Sequence, residues 1–242
     1  MRGLRLSKSS IFEFVFIGGM LGYPLVAGLS ASFSLPNSQL SLVLRSAIAL
    51  AALYLLIEGI GGAKSAWQRF LLAGLGIFFL AYFVRVYFST LIQPSGLSAD
   101  PSHYWMWAVG AALLPAFGLA GARRRPVNWS AVQRRFLVIA LVAAIFVAMN
   151  VTTEVTNAIQ TYDSGRARLE TLNPISLGHL GASLMLVSFA MLISGRDHTA
   201  VLRLLAVTGF VFGIALVIGS NSRGPIAAAA VALLFGWFTL RG

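Results

Sequence analysis

"FLLAGLGIFFLAYFVRVYFSTLI", Phe70 to Ile92, decides the fold class. A helix rises 1.5 Å per residue, so an apolar run of this length reaches across the roughly 30 Å hydrocarbon core of a bilayer. Arg85 is its single charge. The rest of the chain has the same character. Of its 242 residues, 58% are hydrophobic and 10% are charged, whereas a soluble domain carries about 25% charged residues.

Working outward from that run, eight spans are expected: Ile11–Leu29, Leu40–Gly61, Phe70–Ile92, Tyr104–Leu119, Phe136–Val155, Ile175–Ser194, Val201–Gly219 and Pro225–Leu240. The fourth and eighth are the short ones. The expected fold is all-α, a polytopic membrane helix bundle of about eight transmembrane helices. The run from Ile11 is too long for a signal-peptide core and is followed by no convincing cleavage site, so it is read as the first span. There is no 20–50-residue repeat and no Pro- or Ser-rich linker, so residues 1–242 are taken as one transmembrane domain.

The net charge of +11 does not point to nucleic acid, because the basic residues are scattered among apolar spans. Cysteine is absent, which excludes disulfides and thiolate metal sites. Thirteen of the 18 basic residues fall on one side if the spans alternate: Arg2, Arg5, Lys8, Lys64, Arg69, Arg123, Arg124, Arg125, Arg134, Arg135, Arg196, Arg203 and Arg241. Short cytoplasmic loops hold the excess of Lys and Arg, so that side and both termini are expected in the cytoplasm. Trp105 and Trp107 at one interface, and Trp67, Trp129 and Trp237 near the other, fit aromatic belts.

Five arginines remain: Arg45, Arg85, Arg166, Arg168 and Arg223. All are expected in the outer half of the membrane or outside it. An arginine at the centre of a span costs roughly 2.5–3.5 kcal/mol on insertion scales, which a partner or a water-filled cavity offsets. One reading is snorkelling, or pairing with Glu154, Asp163, Glu170 or Asp100. The other is an outward-facing cavity that binds an anion. The four carboxylates nearly cancel the five arginines, so an anion site there requires local arrangement.

The turn "GSNSRGPIAAAA", Gly219 to Ala230, favours the cavity. Pro225 suits a first helical position, and Ser222 or Asn221 suits a cap. Gly224 permits close approach of backbone to a ligand. The eighth span then starts with free N–H groups beside Arg223, whose fork of donors matches phosphate oxygens. A plain connecting turn is the competing explanation. The longest outer loop ends in Asn173–Pro174, with His179 about one turn into the next span. Gly178 and Ala182 form a small-xxx-small pair suited to close helix packing.

Basic residues Arg166 and Arg168, then Asn173–Pro174 and Gly178, then one intervening span and Ser222–Arg223–Gly224, resemble the O-antigen ligase and O-antigen polymerase superfamily in order and spacing. The motifs occupy about a quarter of the chain. The resemblance implies a GT-C-like glycosyltransferase of the bacterial inner membrane. Such an enzyme takes a glycan from undecaprenyl pyrophosphate on the periplasmic side and passes it to lipid A-core, a growing polysaccharide or a protein. It implies no metal and no cofactor, the arginines neutralising the pyrophosphate. Substrate binding is thereby expected at Arg223, Arg166, Arg168, Arg85 and Arg45, with Ser222 and Gly224. His179, His103 and Asp163 are available as general base, but none carries a signature, so the catalytic base is left unassigned. Family members continue past the span that follows "SRG". The chain is therefore expected to be the N-terminal part of a longer architecture and to act as an enzyme once the remainder is supplied. The competing classes are a transporter or flippase of lipid-linked saccharides and a non-catalytic scaffold subunit. A transporter requires charge through the depth of the bundle, whereas the inner half holds mainly Glu13 and Glu58, near span ends.

Overall fold

The computed structural model describes residues 8–60, 62, 65–92, 100–122, 127–159, 172, 174–194 and 199–240. Among them no β-strand forms. The helices are α1 (Lys8–Phe33), α2 (Asn37–Ile60), α3 (Ala66–Tyr87), α4 (Pro101–Met106), α5 (Leu114–Gly121), α6 (Trp129–Ile159), α7 (Pro174–Ile193), α8 (Ala200–Gly219) and α9 (Arg223–Leu240). A π turn, Phe88–Ile92, prolongs α3, and a π-helix, Trp107–Leu113, joins α4 to α5.

Among the described residues seven segments are long and apolar enough to cross a membrane: Ser9–Phe33, Asn37–Ile60, Ala66–Ile92, Pro101–Gly121, Trp129–Asn150, Ile175–Ile193 and Ala200–Gly219. The protein is a multi-pass helical membrane protein. Two expected spans differ in detail. The fourth is longer than Tyr104–Leu119 and is built from α4, the π-helix and α5. The eighth begins at Arg223 rather than Pro225 and runs to Leu240.

Local chemistry sets the helix ends. Ser65 and Gln68 form a reciprocal capping box at the start of α3, each side chain accepting the other's backbone N–H at 3.2 Å. Asn128 Oδ1 accepts the Ala131 N–H at the start of α6, and Thr199 Oγ1 that of Leu202 at the start of α8. The π-helix ends against Pro115. Proline has no N–H and crowds the carbonyl four residues back. The ladder widens there, and the Leu114 N–H reaches Val109 O, five residues back.

The chain divides into two compact units, Met1–Gly19 with Leu42–Val127, and Met20–Ser41 with Asn128–Gly242. In the first, α2 and α5 run parallel with backbones in contact. A Cβ on Gly118 would meet Ala52 O at 2.5 Å, and one on Gly59 would strike Gly121 O. Val15, Ile48, Ala52 and Leu55 form the buried cluster beside them. α3 is antiparallel to the fourth span. Gln68 Nε2 donates to Ala122 O (3.3 Å) near one end, Phe79 packs on Phe117 midway, and Phe83 stacks on Trp105 towards the other.

In the second unit, α7 is the centre. A Cβ on Gly181 would lie 2.8 Å from Gly213 O, and one on Gly213 would lie 2.7 Å from Gly181 O, so α7 and α8 touch along their backbones. Lipid tails are as apolar as leucine, so helices in a bilayer associate through close packing, which glycine allows. α9 runs parallel to α7: Gly178 faces Pro225, Ala182 and Met185 share a buried cluster with Ala229, and Phe189 faces Gly236. α6 lies parallel to the second half of α1, joined by Asn150 Nδ2 donating to Ser32 Oγ at 2.8 Å.

Candidate functional site

The α8–α9 turn is held by one hydroxyl. Ser220 is fully buried. Its Oγ donates to Val217 O at 2.7 Å and accepts the Ser222 N–H at 3.3 Å. Between them Asn221 takes a left-handed backbone, φ 45°, a region that Asn tolerates better than most residues. The Ser222 carbonyl then accepts the Ile226 N–H at 3.3 Å. That is the first bond of α9, so Ser222 stands at the N-cap position and Pro225 at the third helical position, still within the turn whose N–H groups lack intrahelical acceptors. Pro225 therefore leaves no buried donor unsatisfied. The backbone N–H groups of Arg223 and Gly224 have no acceptor among the described residues.

Arg223 and Gly224 are exposed, and a Cβ on Gly224 would meet nothing within 4 Å. Pro225 points the other way and is buried against α7. A Cβ on Gly178 would lie 2.8 Å from Ser220 Oγ and 2.9 Å from Pro225 Cβ and Cγ. The structure thus brings the start of α7, with Pro174, Gly178 and exposed His179, against the turn that carries Ser222, Arg223 and Gly224. Among the described residues the Arg223 side chain has no ion-pair partner. A guanidinium beside two unbonded helix-terminal N–H groups forms a concentrated set of anion donors.

The other expected residues fall elsewhere. Arg45 and Arg85 belong to the first unit. Arg45 is half-buried, with its guanidinium carbon 5.7 Å from the centre of the Trp107 ring. Arg85 is exposed, and on either side of it Phe83 and Thr90 both contact Trp105. Arg166, Arg168, Asp163, Glu170 and Asn173 lie outside the described residues. Asp100 is exposed and caps α4, accepting from Ser102 N at 2.8 Å and Ser102 Oγ at 2.6 Å. Those two donors hold its carboxyl below the usual carboxylate range. Among the described residues no His, Asp or Glu cluster has the makings of a metal site.

No sequence pattern points to Ser220 or to the Gly178–Pro225 contact. "GSNS" reads as polar turn residues, and nothing in it singles out the serine that is buried. No protein-family model matches the chain, and no curated protein and no solved structure matches it.

Proposed function

We propose that the protein is a glycan transferase of the bacterial inner membrane, of O-antigen ligase or polymerase type, with both termini cytoplasmic and the α8–α9 turn facing the periplasm. The observation that carries this reading is the packing of Gly178 against Ser220 and Pro225. It joins two of the three motif groups on which the resemblance rests and leaves Arg223 exposed beside them.

In this reading the donor is a glycan on undecaprenyl pyrophosphate. The acceptor hydroxyl attacks the anomeric carbon, and the bond to pyrophosphate oxygen breaks. The electron pair leaves on the pyrophosphate, and the hydroxyl proton passes to a base, for which His179 and Asp163 are the candidates. Negative charge grows on the leaving oxygen in the transition state, so donors aimed there lower the barrier. Arg223 supplies a bidentate fork and the start of α9 supplies backbone N–H groups. Arg166 and Arg168 are the further cations assigned to the clamp, and Ser222 and Gly224 shape its floor.

The test is reconstitution in proteoliposomes with a labelled undecaprenyl-pyrophosphate glycan and an acceptor saccharide. Arg223→Ala is expected to lower transfer by about 10²–10³, and Arg223→Lys to restore little because a point charge lacks the fork. Normal transfer by both variants would remove the clamp. Translocation without transfer would make the protein a transporter, and neither activity would make it a scaffold.

A further inference from the structure

Two exposed helix strips in the second unit are each headed by an arginine. On α6, Arg134, Val138 and Val142 follow one another at every fourth position, and all three are exposed. On α8, Arg203, Val207 and Val211 do the same. Residues four apart share a helix face, so each guanidinium stands at the head of a column of exposed valines.

The two strips start at the same level. A Cβ on Gly209 of α8 would lie 2.6 Å from Ser188 Oγ and 3.1 Å from Leu137 Cδ1, so α6, α7 and α8 meet there. At 1.5 Å per residue, that contact is about 12 Å from the start of α6 and about 13.5 Å from the start of α8. Only α7 separates them in sequence, so both helices cross in the same sense and begin at one membrane face. Exposed Trp129, at the start of α6, marks that face as an interface.

The positive charge at this end is not offset within the unit. Arg134 Nε donates to Ser130 O at 3.3 Å, and beyond that bond neither guanidinium has a partner among the described residues. No Asp or Glu lies at this end among the described residues of the unit. Neither α6 nor α8 has an acidic residue in its first turn, so the partial positive charge of each helix start adds to that of the arginines. The usual excess of Lys and Arg at one membrane face accounts for the sign of this charge. It does not account for two helix starts that lack any carboxylate and carry an arginine at the head of an apolar strip.

A ligand that satisfies this surface is anionic at the level of the first turns and apolar below. The guanidinium fork matches phosphate oxygens. The long arginine stem lies along apolar surface while its head reaches the bilayer surface. We propose that the end of the second unit where α6 and α8 begin is a docking surface for anionic phospholipid, with phosphodiester groups on Arg134 and Arg203 and acyl chains along the valine strips. The surface depends on the chain crossing a membrane and not on the glycan-transfer reading.

The test is electron paramagnetic resonance on the whole protein reconstituted in phosphatidylcholine bilayers, with chain-labelled phosphatidylglycerol or chain-labelled phosphatidylcholine as the spin probe. The fraction immobilised by the protein is expected to be higher for phosphatidylglycerol, and to fall as unlabelled phosphatidylglycerol is added. Arg203→Gln should weaken that preference by about fivefold, and Arg134→Gln with Arg203→Gln by about tenfold or more. Replacing both arginines with lysine keeps the charges and controls for folding, and should keep most of the preference. Arg85→Gln, which removes a guanidinium from the first unit, should leave it unchanged. The surface is overturned if the wild type immobilises both probes equally, if the double glutamine variant behaves as the wild type, or if Arg85→Gln abolishes the preference. It is also overturned if soluble glycerol phosphate displaces the probe as well as the lipid does, since the anion alone is then the ligand.

Discussion

Gly178 on α7 and Pro225 on α9 are packed so closely that a methyl group on Gly178 would sit 2.9 Å from two ring carbons of the proline and 2.8 Å from Ser220 Oγ. Neither neighbour yields easily: the proline ring is rigid, and the serine hydroxyl is fixed by two hydrogen bonds. Gly178→Ala is therefore expected to force α7 away from the turn at a cost of about 1–3 kcal/mol, the usual range for overpacking. Gly224→Ala adds the same methyl group into open space and should melt with the wild type. Thermal unfolding in detergent compares them, and equal melting of Gly178→Ala and Gly224→Ala would show that the contact is loose.

The turn itself makes a second prediction. Ser220→Ala removes a buried acceptor for the Ser222 N–H and should cost about 1–3 kcal/mol through the donor left unpaired. Asn221 occupies left-handed backbone, so Asn221→Gly should be neutral or mildly stabilising, and Asn221→Val destabilising by about 1–2 kcal/mol. Hydrogen exchange at Ser222 and Ile226 reports the turn directly. If Ser220→Ala left both amides protected as in the wild type, the hydroxyl would have no part in holding the turn.

The spans were legible because one-dimensional hydropathy suffices to find a bilayer crossing. Ile175–Ser194 and Val201–Gly219 differ from α7 and α8 by a residue at the ends where they differ at all. Helix faces were not legible. In a bilayer both the lipid-facing and the packed sides are apolar, so no polar stripe marks the interior. Gly181 and Gly213 bring the α7 and α8 backbones together, yet the small-xxx-small pattern points to Gly178 and Ala182. Both of these also prove buried in packing. The widened helix before Pro115 had no sequence signal beyond the proline itself. The sequence places Arg45 among candidate anion ligands and Trp107 in an aromatic belt. Their contact is a tertiary fact between residues sixty-two apart, outside the reach of any local pattern.

Asp100 gives a pH dependence. Its carboxyl is held below the ordinary value of 3.8 because Ser102 donates two hydrogen bonds to the charged form. Folding therefore favours the carboxylate. Its contribution to the α4 cap is fully present above pH 3.8, and is lost as pH falls through the lower folded value. Amide exchange at Ser102 and His103 should be flat with pH above 3.8, after correction for intrinsic rates, and should rise below it. Asp100→Asn keeps a capping oxygen but has no charge to lose, so its corrected exchange should be flat throughout. A wild-type profile equally flat to pH 2 would remove the cap from the account.

Orientation is testable on α8 alone. Its 20 residues, Ala200 to Gly219, span about 30 Å, the thickness of the hydrocarbon core, so its two ends face opposite sides of a membrane. Arg203 lies near the first end and Arg223 just past the second. The proposed orientation puts the Arg203 end in the cytoplasm, with the larger share of the chain's positive charge. The chain has no cysteine, so single cysteines can be introduced without removing any. Ala200→Cys and Gly224→Cys both fall at exposed positions. In spheroplasts a membrane-impermeant maleimide is expected to label Gly224→Cys at once, and Ala200→Cys only after the membrane is opened. The reverse pattern would turn Arg223 to the cytoplasm, where a periplasmic pyrophosphate clamp is excluded whatever the turn's geometry.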